Sequence, residues 1–252
     1  MDKRGQISFF VIIAIVIVAV VAVIFLFPKI KVFVSDVEPN SYLRNCIEKD
    51  ARNTNNQLAD QGGYSDPENY VEYLGDKYTY LCYTSEDYKT CVVQQPLIKR
   101  HFENELKQKI EPEARKCVSD LKSLYESKGY DVSATPGDLN MSFVPGKLIL
   151  DFISPMTISK ESKQTFRKFA ISIDTEMYDL ILTATSIIEF ESTLGDSETL
   201  SYIQYYPDLK IEKIKRDGDT LYTLGNVVSG DQFKFGSRSL VWPAGYNLEK
   251  NR

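Results

Sequence analysis

Apolar and polar residues are distributed along this chain in two regimes. Residues 7–27, ISFFVIIAIVIVAVVAVIFLF, hold one polar side chain, Ser8, and no charge. As a helix this run would be roughly 30 Å long, the thickness of a bilayer core. A helix packed in a soluble core keeps a polar face, and this run has none. Cleaved secretory signals carry about 7–15 apolar residues before a small-residue cleavage site. This run is longer and ends FLFPKIKVF, without such a site. The pattern therefore predicts a retained transmembrane helix over 6–27, with residues 1–5 ahead of it and a neck over 28–40 behind it.

Past the neck, apolar residues recur periodically. Leu43, Ile47, Ala51 and Leu58 follow helical steps, and Gly62-Gly63 supply a left-handed stop. YVEYLGDKYTYLCY and KTCVVQ read as the arms of a hairpin around a polar loop. Ile98, Phe102, Leu106 and Ile110 mark one face of a helix with Pro96 near its first turn, and Pro112 is read as the start of a second helix ending at Gly129. Tyr130–Thr135 is a strand candidate. LNMSFV and KLILDFI form a hairpin about Pro145-Gly146. TFRKFAISID suits strand or helix; we assign strand up to Asp174, which would cap a helix through MYDLILTATSIIEFE. LKIEKIKRDGDTLYTLGNVV is a hairpin about Asp217-Gly218, and QFKFGSRSLVW a last strand.

Helices and hairpins come in clusters without strict alternation. The expected fold class is an α+β ectodomain, helices with a disulfide-tied hairpin followed by an antiparallel sheet with a helix, on one N-terminal transmembrane helix. The ectodomain would span 41–252, with a division near Gly129.

Composition narrows the function classes. A formal net charge of −5 argues against a nucleic-acid partner, which phosphate neutralisation would require. Sixteen tyrosines against one tryptophan and one histidine suit either a partner-facing surface or a tyrosine-rich sheet. Four cysteines, Cys46, Cys82, Cys91 and Cys117, allow three pairings. Cys82 and Cys91 flank one loop, and Cys46 and Cys117 lie in two helical patterns, so we expect the nested pairing. Chain entropy assigns about 2.7 kcal/mol to the short loop and about 4.4 kcal/mol to the long one. No Cys-x-x-Cys spacing occurs and His101 has no second histidine, so neither metal nor cofactor is expected. An even cysteine count suits an oxidising compartment.

The residues offer little catalytic chemistry. Any Ser-His-Asp or Cys-His arrangement must use His101, which lies one position off an apolar stripe among charges and reads as a solvated helix-surface residue. Glu189/Glu191 read as a helix end, and Asp217/Asp219 as a hairpin turn with too few ligands for calcium. An enzyme is not the expected reading. Asn140-Met141-Ser142 is an N-glycosylation acceptor sequence beside a hairpin.

Lys3-Arg4-Gly5-Gln6, pressed directly against the apolar run, resembles an archaeal type IV pilin-like (class III) signal peptide. The resemblance implies cleavage between Gly5 and Gln6 by a prepilin-type peptidase, with Lys3 and Arg4 left in the cytosol and the span retained. It implies self-association or assembly with other pilin-like subunits. Basic residues flank the span on both sides, so charge alone does not orient it; the cysteines and the leader place the N-terminus in the cytoplasm and the bulk of the chain outside. A second resemblance rests on the order of Cys46, Gln61-Gly62-Gly63-Tyr64, Cys117, Leu221-Tyr222-Thr223-Leu224 and Phe233-Lys234-Phe235. In this it is similar to a group of single-pass archaeal membrane proteins and implies a layout and a membrane address, without an activity. The expected function is a pilin-like cell-surface subunit in the lipid bilayer. The alternatives are a tethered binding or scaffold domain that does not polymerise and, further off, a cell-surface hydrolase.

Overall fold

The computed structural model describes residues 16–18, 37–135 and 137–241. Val16, Ile17 and Val18 are helical and more than half exposed. Lys3, Arg4, Gly5, Gln6 and most of the expected span lie outside the described residues. Among the described residues no helix is long and apolar enough to cross a membrane. The chain forms two units, Met1–Glu38 and Pro39–Arg252. The second carries the architecture below.

Helix α1, Pro39–Ala59, opens on a proline that needs no helical N–H and buries Leu43, Ile47, Ala51 and Leu58 along one stripe. Gly62 and Gly63 then turn the chain at φ +67° and +86°, conformations closed to most side chains. Helix α2 runs unbroken from Ile98 to Ser127, with Pro112 inside it. This corrects the expectation of two helices. An interior proline costs about 3 kcal/mol, but the buried stripe Phe102, Leu106, Ile110, Ala114, Cys117, Leu121 and Tyr125 continues in phase across it. Splitting the helix would have sacrificed that burial. Helices α1 and α2 pack side by side and are tied by Cys46–Cys117, with Cα atoms 6.1 Å apart.

Strands β1 (Tyr70–Tyr73) and β2 (Asp76–Tyr83) form a hairpin across Leu74-Gly75, inside a run that had read as one strand. β3 (Val92–Val93) pairs antiparallel with the end of β2, and Cys82–Cys91 closes the loop between them, Cα atoms 5.3 Å apart. The two bridges are the nested pairing. β4 is Asp131–Ala134, β5 Asp138–Val144, β6 Lys147–Ile153, β7 Met156–Ser159, β8 Lys163–Phe166 and β9 Phe169–Asp174. They divide into two three-stranded antiparallel sheets, β4-β7-β8 and β5-β6-β9.

Helices α3 (Met177–Leu194) and α4 (Leu200–Tyr205) precede β10 (Leu209–Arg216), β11 (Asp219–Asn226) and β12 (Gln232–Arg238). Asp217 and Gly218 both sit at positive φ, +51° and +89°, which the tight two-residue turn between β10 and β11 requires. The cap of α3 also departs from expectation. Asp174 is the last residue of β9, and the helix start is held instead from a distant loop: the Asp231 carboxylate accepts from Glu176 N–H at 2.7 Å and from Thr175 Oγ1 at 3.0 Å.

The largest sheet has the order β1-β2-β12-β11-β10, with β3 attached to β2. β12 runs parallel to β2, so this sheet is mixed, not purely antiparallel as expected. Gly236 permits the close pairing, since a Cβ there would lie 3.1 Å from the Tyr78 carbonyl oxygen. Because β2 comes from the first half of the chain and β12 from its end, one sheet joins both halves across Gly129. Phe102 of α2 lies between Phe143 of β5, 5.1 Å away, and Phe233 of β12, 6.1 Å away. The central helix thus packs against the large sheet and the β5-β6-β9 sheet, and the buried side chains form one continuous core. The result is an α+β head stapled by two disulfides.

Candidate functional site

Helix α3 buries Met177, Leu180, Ile181, Ala184, Ile187 and Ile188 at helical spacing, and the next residue on that stripe is Glu191. Only 1% of Glu191 is exposed. Its carboxylate accepts a short hydrogen bond from Tyr222 Oη of β11, one of 3.1 Å from Ser197 N–H and one of 3.2 Å from Ser237 Oγ of β12. Ser237 Oγ also lies 3.6 Å from Cys91 Sγ, which places the network against the second disulfide. Burial, and after it the Glu191 charge and hydrogen bond, push the Tyr222 phenol far above its ordinary range.

Just beyond, Asp196 takes hydrogen bonds from Lys213 and from Lys215, the latter at 2.6 Å. Burial raises the Asp196 carboxyl, but the two ammonium groups outweigh it and leave its pKa below the usual value. The turn after α3 is therefore fixed to β10 by charge. A buried carboxylate with three donors and no exposed surface has no route to a substrate. Its work is to lock α3 onto the sheet. Glu189 and Glu191 do lie at the end of α3, as expected, but the burial and bonding of the Glu191 side chain were not foreseen. The signal that could have found it was a charged residue in phase with an apolar stripe.

The opposite face of the large sheet carries a shallow depression of about 230 Å³, lined by Asp76, Tyr78, Glu212, Thr223, Gln232 and Lys234 among others. Lys234 Nζ lies 3.0 Å from Asp76 and 3.1 Å from Asp60. Burial pulls the Lys234 ammonium down, and these two carboxylates more than restore it. The lining is polar, so this surface can offer hydrogen bonds to a hydroxylated or charged ligand but little apolar area.

Asp217 and Asp219 do not act together: Asp217 is in the turn, while Asp219 accepts from Arg238 Nη1 at 2.8 Å. Among the described residues no group of three or more His, Cys, Asp or Glu side chains is placed to hold a metal ion. Asn140 stands exposed on β5, in a different sheet from the polar depression.

His101 is not the solvated residue its neighbours suggested. Its ring lies 4.0 Å from the Tyr64 ring, and Nε2 is buried with no hydrogen-bond partner among the described residues. Tyr64 reaches it because Gly62-Gly63 fold the end of α1 back over α2. Burial lowers the His101 pKa, against a smaller opposing pull from Glu105. The folded state therefore favours neutral imidazole. Stability is full above the unfolded histidine pKa of about 6.5 and falls as pH drops from there toward the lower folded value. Urea midpoints at pH 7.5 and pH 5 should differ more in the natural protein than in His101→Gln, and equal differences would remove this account of His101.

No protein-family model matches the chain, and no curated protein or solved structure matches it significantly.

Proposed function

We propose that this protein is a membrane-anchored, extracytoplasmic pilin-like surface subunit. Its leader is cut between Gly5 and Gln6, the apolar run is kept as the anchor, and the α+β head stands outside the membrane. The observation that carries this reading is the pair of disulfides. Cys82, Cys91 and Cys117 are each at most 2% exposed, all four cysteines are paired, and the bridges tie core elements. Such bridges persist in oxidising compartments and are rare in the cytosol. They follow in sequence an apolar run long enough to span a bilayer. The implied partners are the lipid bilayer, a prepilin-type peptidase and further copies or related subunits.

The polar depression on the large sheet favours a second reading, a tethered head that binds a polar ligand and does not polymerise. Mechanical shearing of cells separates the two. A polymerising subunit leaves the membrane and sediments with filaments in the sheared fraction. A tether stays with the membrane and is extracted by detergent as a monomer or small oligomer, a result that would overturn the polymerising half of the proposal.

A further inference from the structure

Asn140-Met141-Ser142 is the only Asn-x-Ser/Thr sequence in the chain, and the fold places it in a particular way. Strand β5 alternates strictly: Leu139, Met141 and Phe143 are buried, while Asp138 and Asn140 are exposed and Ser142 half-buried. Asn140 and Ser142 therefore share the outward face, since strand side chains alternate with period two. A slip of one residue would have sent both into the core. Their partners across the ladder are Asp151 and Ile149 of β6, and next to Asp151 stands Ala170 of β9. Asp151 is engaged by Lys168 at 3.3 Å. The Asn140 carboxamide forms no hydrogen bond to any described residue.

The free edge of β5 is attended elsewhere, where Phe143 N–H donates to the Glu103 carboxylate of α2 at 2.7 Å. At Asn140 the face is left open. Asparagine is depleted in strands because its side chain competes for local backbone bonds. An asparagine in mid-strand, exposed and without a partner, contributes nothing to the sheet that the fold accounts for. Beside it, on the same face, stands the hydroxyl residue that N-glycosylation requires.

We propose that Asn140 carries an N-linked glycan that covers the outward face of the β5-β6-β9 sheet. The donor class is a polyprenyl-phosphate-linked oligosaccharide. Asn140 Nδ2 forms a bond to the anomeric carbon, the bond from that carbon to the phosphate oxygen breaks, the amide gives up one proton, and the polyprenyl phosphate leaves. The proposal rests on the outward placement of the head under "Proposed function". A glycan here points away from the core, beside Asp151 and Ala170 on an open face, so the fold accommodates it without rearrangement. It also removes this face from contact with other subunits.

The test expresses the full chain in a host that glycosylates translocated Asn-x-Ser/Thr sequences, with the Asn140 peptide read by mass spectrometry. A second form carries Tyr88→Asn, which completes an acceptor with Lys89 and Thr90 in the loop between β2 and β3. Tyr88 is 71% exposed with φ +63°, a conformation that asparagine tolerates well. The proposal expects a glycan-bearing peptide that disappears in Asn140→Gln and Ser142→Ala and returns in Ser142→Thr, with unchanged thermal midpoints. An unmodified Asn140 alongside an occupied loop acceptor would overturn the proposal and leave the outward placement standing. If neither acceptor is modified, both the proposal and the outward placement fall.

Discussion

Joint replacement of Cys46 and Cys117 by alanine is expected to lower the thermal midpoint of the head by about 10–15 °C. The bridge closes a loop with a sequence separation of 71, and chain entropy assigns such a closure about 4.4 kcal/mol. A domain of this size loses about 2–4 °C per kcal/mol. The location adds to the effect. The bridge ties α1 to α2, and α2 packs against both the large sheet and β5, so loosening one helix exposes the other's stripe. Replacing Cys82 and Cys91 instead should cost less, because the separation is 9 and the entropy figure falls to about 2.7 kcal/mol. Thermal melts of the two double variants beside the natural protein give the ranking. A larger loss from the Cys82/Cys91 pair would mean that packing near Ser237 outweighs loop closure.

The second large effect is expected at Glu191. Alanine there leaves Tyr222 Oη, Ser197 N–H and Ser237 Oγ without their acceptor in a site closed to water, a loss of about 3–5 kcal/mol. Glu191→Gln keeps the shape and one acceptor oxygen but turns an NH₂ toward donors, so it should fall between alanine and the natural residue. Tyr222→Phe removes one donor and leaves two, and should cost about 1–2 kcal/mol. The energies of Glu191→Ala and Tyr222→Phe should not add, because each already breaks the bond the other would break. Urea denaturation of the two single variants and the double measures that coupling. Additive losses would show that Glu191 holds the sheet through Ser197 and Ser237 alone.

Much of the α+β head can be read from periodicity, and its misreadings have physical causes. The stripe from Leu43 to Leu58 and the Asp217-Gly218 turn are local patterns, and the structure follows them. Pro112 misled because a local rule against interior proline was overridden by a stripe that continues on both sides of it. The Leu74-Gly75 turn was hidden in an aromatic run of strand-forming residues, with only a single glycine to mark it. The cap of α3 could not be assigned from Asp174, since the carboxylate that serves is Asp231, 55 residues beyond Glu176. The parallel β2–β12 pairing joins residues more than 150 apart, a separation at which local pattern carries no information. At the candidate sites the outcome is mixed. The nested cysteine pairing followed from two flanking positions and two helices, whereas the burial of His101 depends on a ring delivered from another helix end.

The central claim is that Lys3-Arg4-Gly5-Gln6 is a cleavage address, with the anchor retained and the head outside. The most direct test is the mature N-terminus, read by mass spectrometry of the terminal peptide from protein made in a host with its own prepilin-type peptidase. The account predicts a chain that starts at Gln6. A chain that still begins at Met1 or Asp2 would contradict it.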